Sequence, residues 1–154
     1  MRKEKDTTFI LNELNSAKSL SEGMKKMSEL NDSFTSMSFS DYFNEFLGSH
    51  QRKSLSDIVR DSGLSRQYAY DVINGKKNAN RDKIIALCLS ANMNLEETKH
   101  SLIYAGHNEL YSRNKRDATI ILVINAKQSG SKDYPTVTDV SIFLEEKGFE
   151  PLDI

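Results

Sequence analysis

The stretch SLSDIVRDSGLSRQYAYDVINGKK, residues 54–77, reads as two short helices joined by a tight turn. Ser54 is placed to cap a first helix with Asp57 in its opening turn, and Leu55, Ile58 and Val59 supply an apolar stripe. Gly63 ends that helix in a backbone conformation that glycine adopts at little cost, and Leu64 fills the corner. Ser65 caps a second helix at once. Ala69, Val72 and Ile73 face inward along it, and Asn74 with Gly75 terminates it.

On these residues the stretch resembles the helix-turn-helix of the Cro/phage-repressor (Xre) family of small DNA-binding proteins. Gly63 stands at the turn, Leu64 after it, Ser65 at the cap, Val72 inside and Asn74-Gly75 at the end, with the basic pair Lys76-Lys77 following. The likeness extends over residues 38–110, supporting helices included. It implies an all-α fold: a five-helix repressor-type bundle over residues 38–111, with extra helices in an N-terminal extension, residues 1–37, and a C-terminal extension, residues 112–154.

The resemblance also implies a sequence-specific DNA-binding regulator whose 65–74 helix enters the major groove of double-stranded DNA. The residues expected to reach bases are Ser65, Arg66, Gln67, Tyr70 and Asp71; Lys76, Lys77, Asn78 and Arg81 are expected to hold phosphates. Arg66 suits guanine O6/N7, Gln67 adenine N6/N7, and Tyr70 a thymine methyl or the backbone. Asp71 departs from the pattern, since a carboxylate on that face either repels phosphate or accepts from cytosine N4. Leu55 stands where the family often has a phosphate-contacting Gln. Val59 is larger and Ala69 smaller than the family's residues, a compensated exchange if the two face each other across the turn.

Around this motif the charge is uneven. The whole chain of 154 residues has a net charge of −1, yet eight bases between residues 50 and 85 face four acids. That local surplus fits a polyanionic partner, and without the motif it would read as an ordinary solvated surface. One cysteine, Cys88, rules out an internal disulfide and sits in an apolar run, as a core thiol does. His50, His100 and His107 lack a Cys partner at ligand spacing, so they imply no metal. Neither a cofactor nor a catalytic residue is expected. Nothing in the sequence is long and apolar enough for a signal peptide or a membrane span, and the expected location is the cytoplasm.

Outside the motif the apolar spacing predicts further helices. Ile10, Leu11 and Leu14 mark one; Ser19-x-x-Glu22 opens another with Leu20, Met24, Met27 and Leu30, a stripe that serves either a core or an adaptable partner surface. The loop NDSFTSMSFS, with Phe34 and Phe39 as anchors, ends in a cap for a helix bearing Tyr42, Phe43, Phe46 and Leu47. Asn80 caps a helix that is apolar nearly all round and so must be buried, and Asn94-x-x-Glu97 opens the next, which Gly106 stops. The run at 120–124 is rich in β-branched residues, but its flanks extend it past strand length and predict helix; Thr136-x-x-Asp139 opens the last.

These two apolar C-terminal helices must bury against their own bundle or a second subunit. Two-fold pairing would present two half-site readers, so a homodimer joined through residues 120–124 and 140–144 is expected. A reading from another class keeps the bundle as a protein-binding adaptor or phage-type inhibitor, with the terminal helices as the contact surface.

Overall fold

The computed structural model describes residues 7–29, 37–49 and 53–154; His50, Phe34 and Leu30 lie outside them. Among the described residues the protein is all-α, with no strand. It divides into two units, Met1–Met37 and Ser38–Ile154.

In the first unit, α1 (Thr7–Asn15) and α2 (Leu20–Glu29) form a helical pair. Ser19 Oγ accepts the Glu22 N–H at 3.1 Å, as expected, but the Glu22 carboxylate takes the N–H of Lys18, one residue before the cap. Lys26 and Glu13 tie the pair at 3.4 Å. Within this pair Met24 and Met27 are exposed, as are Phe9, Leu11 and Leu20. Two helices of nine and ten residues have too little surface to bury each other's stripes.

In the second unit, α3 (Phe39–Ser49), α4 (Leu55–Asp61), α5 (Arg66–Ile73), α6 (Arg81–Ser90) and α7 (Leu95–Tyr104) follow in order. Each start is capped as its residues dictate. Ser38, Ser54, Ser65, Asn80 and Asn94 accept the N–H three residues on, and Asn94 with Glu97 forms the full reciprocal box. The apolar α6 is the axis of the core, buried from Ile84 through Ser90. Cys88 lies fully buried within it, and burial pushes its thiol up to about 12, which leaves it an inert core thiol. Val59 and Ala69 are both buried in the same core.

The last two helices, α8 (Lys115–Gln128) and α9 (Val137–Glu146), join this core rather than standing apart from it. Ile120, Val123, Ile124, Val140 and Leu144 are at most 2 % exposed, so one side of the stripes expected to meet a second subunit is buried within the chain itself, while Leu122 and Ile142 of the same runs stay exposed. The reason is visible at the helix starts. Arg81 and Asp82 open α6, Arg116 and Asp117 open α8, and the two dipeptides exchange partners: Arg81 grips Asp117 at 2.8 and 3.1 Å, Arg116 grips Asp82 at 3.0 and 3.2 Å. Each Arg also donates to two backbone carbonyls, of Asn108 and Glu109 or of Glu150 and Pro151. Each Asp accepts one further backbone N–H, from Tyr111 or Asp153. Paired bonds in this planar geometry are the strong form of ion pair.

Candidate nucleic-acid interface

Ser65 stands in extended conformation before α5 and accepts the Tyr68 N–H at 3.4 Å. This turns the first helical residues outward: Arg66 and Gln67 are exposed, while Ala69, Val72 and Ile73 are buried on the opposite side. The turn before it is built by Gly63, at φ +79°, and by a residue that the sequence did not single out. Ser62 is fully buried; its hydroxyl donates to the Val59 carbonyl at 2.8 Å and accepts the Leu64 N–H at 3.2 Å. A serine before a glycine turn carries that signal only weakly, since serine is equally common in solvated loops.

The far end of α5 is held by α3. Ser40 Oγ and Asn44 Nδ2 both donate to the Ile73 carbonyl, at 2.6 and 3.1 Å, satisfying an acceptor that the helix end would leave open. Beyond it Gly75 takes φ +78°, and Lys76 and Lys77 both donate their N–H groups back to the Asp71 carbonyl. This turn places Lys76, Lys77 and Asn78 exposed beside α5.

Among the side chains expected to meet DNA, Gln67, Asp71 and Lys77 form one linked group and Arg66 pairs with Tyr70. The Asp71 carboxylate is folded onto its neighbours: Oδ1 accepts Gln67 Nε2 at 3.0 Å, and Oδ2 lies 3.6 Å from Lys77 Nζ. At 13 % side-chain exposure it presents little to solvent. Because a carboxylate only accepts, the Gln67 amide must turn its NH2 toward Asp71 and its carbonyl away. Lys77 Nζ also sits 5.7 Å over the Tyr68 ring, and the Arg66 guanidinium lies 5.8 Å over that of Tyr70. Ser65, Arg66, Gln67, Tyr70, Asp71, Lys76, Lys77 and Asn78 are thus brought together around α5.

Arg81 is different. Its guanidinium is spent on Asp117 and two carbonyls, which makes it a clasp between α6 and α8 rather than a group free to hold a phosphate. Other bases of the local surplus are also paired: Lys53 with Asp61, Arg60 with Asp57 and Asp61, Lys83 with Asp153. The Arg60 hydrogen bond, opposed by burial and aided by Lys53, holds the Asp61 carboxyl below its usual range.

The two described histidines, His100 and His107, serve packing. His107 Nε2–H donates to the Ala79 carbonyl at 2.8 Å, and the His100 ring packs edge-on against Tyr42 at 5.9 Å. Among the described residues no group of three or more His, Cys, Asp or Glu side chains could hold a metal, and no helix is long and apolar enough to cross a membrane. Compared with family models, with curated proteins and with solved structures, the chain matches none of them.

Proposed function

We propose that the protein is a sequence-specific DNA-binding transcriptional regulator of the Cro/phage-repressor type, acting in the cytoplasm without a cofactor or catalytic residue, with α5 as the helix that enters the major groove. One observation carries the reading: a Ser-capped helix buries its apolar side and turns Arg66 and Gln67 outward beside the exposed Lys76, Lys77 and Asn78. An exposed polar helix start flanked by bases is what major-groove reading with phosphate anchoring requires. Arg66 takes a guanine edge, Gln67 an adenine edge, and Lys76, Lys77 and the backbone amides near them hold phosphates.

The regulator works as a homodimer in this reading, so that two copies of α5 address half-sites about one helical turn apart. With Ile120, Val123, Ile124, Val140 and Leu144 turned inward, the second copy is offered the outer side of α8 and α9. There Leu122 is 67 % and Ile142 51 % exposed, next to an apolar groove between Leu122, Ala126, Tyr134, Phe143 and Phe149.

Selection of bound fragments from random DNA tests the proposal. Enrichment of a motif, half-sites included, is the expected result. Failure to enrich any sequence at low salt would favour the protein-binding adaptor instead, a reading supported by the exposed Phe9, Leu11, Met24 and Met27 of the α1–α2 pair.

A further inference from the structure

Away from α5, a polar cavity of about 350 Å3 opens between α3, the end of α6, the start of α7 and the end of α8. Two lysines line it, Lys53 and Lys127, over an apolar floor that includes Phe46 and Ile58. We propose that this cavity binds a small metabolite through an oxyanion, a phosphate or carboxylate group, seated between Lys127 and Lys53 with its hydrocarbon part on Phe46 and Ile58.

The argument starts from unspent donors. The half-buried Lys127 ammonium carries three N–H groups and, among the described residues, meets one acceptor, the Tyr134 carbonyl at 3.1 Å, with no carboxylate of those residues within ion-pair distance. The acids nearby have donors of their own. Asp61 is bonded to Arg60 and Lys53, Asp139 takes the N–H and hydroxyl of Thr136, and Glu97, which lines the cavity, takes the Asn94 N–H. Lys53, held by the Ser90 carbonyl at 2.8 Å and by the Asp61 carboxylate at 2.8 Å, places a second ammonium, itself ion-paired, on the same space. Burial, and then Lys53, push Lys127 down to about 8. A partly desolvated ammonium facing another cation is held at a cost that a bound anion removes, and such perturbed groups gather at binding sites. The capped start of the ten-residue α7 also opens on the cavity, but the Asn94 and Glu97 amides are taken by their capping box, so the donors left for a ligand are those of the two lysines. Ile58 belongs to α4, so a ligand here touches the helix pair of the candidate interface; the site itself stands whether or not α5 meets DNA.

The full chain is titrated at about pH 8 and constant ionic strength with inorganic phosphate in one arm, succinate in a second and chloride as control, followed by amide spectra and calorimetry in buffers of differing ionisation heat. Phosphate, succinate or both should saturate at about 1 mM or below and shift the amides of Asn92, Asn94 and Gln128. Which arm saturates identifies the source of the oxyanion. Binding should also take up protons, because the anion returns Lys127 to its charged form. Lys127→Met should abolish saturation and proton uptake while still melting cooperatively, and Lys53→Gln should weaken binding at least about tenfold. Shifts that never saturate in either arm, or saturation that survives unchanged in both variants, would overturn the site.

Discussion

Arg81 on α6 and Asp117 on α8 are joined by two parallel hydrogen bonds, 2.8 and 3.1 Å long, with the carboxylate almost wholly buried. Burial alone would raise the Asp117 carboxyl, but the Arg81 hydrogen bonds and the Tyr111 N–H outweigh it and hold the group below its usual range. Asp117→Asn should therefore cost about 3 kcal/mol of stability in urea unfolding, since it leaves Arg81 without its charge partner. A lowered folded-state value also means stability that is present above the ordinary carboxylate range and lost as pH falls through it. The variant should lose that part of the acid sensitivity. A cost under about 0.5 kcal/mol would place the pair with solvated surface ion pairs.

Lys127 predicts the opposite pH behaviour. Its folded value, near 8, lies below the ordinary lysine value of 10.5, so the unfolded chain holds the proton more tightly and stability should rise between these limits. Tyr42, raised to about 12 mainly by burial, instead loses stability above pH 10. Subtracting the stability curve of Lys127→Met from that of the parent isolates the lysine. A flat difference from pH 8 to 10 would show that the ammonium is as well solvated as in the unfolded chain.

Gly63→Val should destabilise the protein by about 1 kcal/mol or more, because φ is +79° there and a β-branched residue is strained in that region. A new Cβ would also approach Ile154 Cδ1, the end of a side chain that can move aside, so the backbone term dominates. Thermal melting measures it, and an unchanged midpoint would contradict the strain.

At a selected operator, Arg66→Ala should cost about 1–3 kcal/mol and relax preference at one base pair. Lys77→Ala should weaken all sequences alike and lower the salt slope by about one. Titrations at several salt concentrations separate the two. If both variants bind like the parent, α5 is not the reading helix.

Asp71 is predicted to position rather than read. Asp71→Asn keeps an acceptor for the Gln67 amide while removing a negative charge, so base preference should persist and non-specific affinity rise. Asp71→Ala frees the amide to turn over and should relax preference at the pair that Gln67 meets. Equal loss of preference in both would mean that the carboxylate itself contacts a base.

Helix starts and the burial of α6 were readable from the sequence because caps are local: Ser54, Ser65, Asn80, Asn94 and Thr136 act within three residues of themselves. The partners of Arg81 and Asp71 were not. Arg81 looked like one more base in a basic stretch, and its acceptor lies 36 positions away; only the recurrence of Arg-Asp at two helix starts hinted at it. Asp71 was visible as an oddity, but whether it faced solvent or Gln67 depended on side-chain torsions that spacing does not encode. The inward turn of α8 and α9 was similarly open, since an apolar stripe indicates burial without saying against what.

The crossed Arg-Asp dipeptides also set how the molecule comes apart. Since each supplies donor and acceptor to the other, the first turns of α6 and α8 cannot fray independently: releasing Asp117 unpairs Arg81, and the same event strains the Arg116 grip on Asp82. Local opening of the Ser38–Ile154 unit should then be all-or-none from α6 through α8, with amide hydrogens in both helices exchanging at a common slow rate. A chain cut near residue 111 would keep every residue of the five-helix pattern yet lose the counterpart of its central helix, so the span that folds as one is longer than the span that carries the motif.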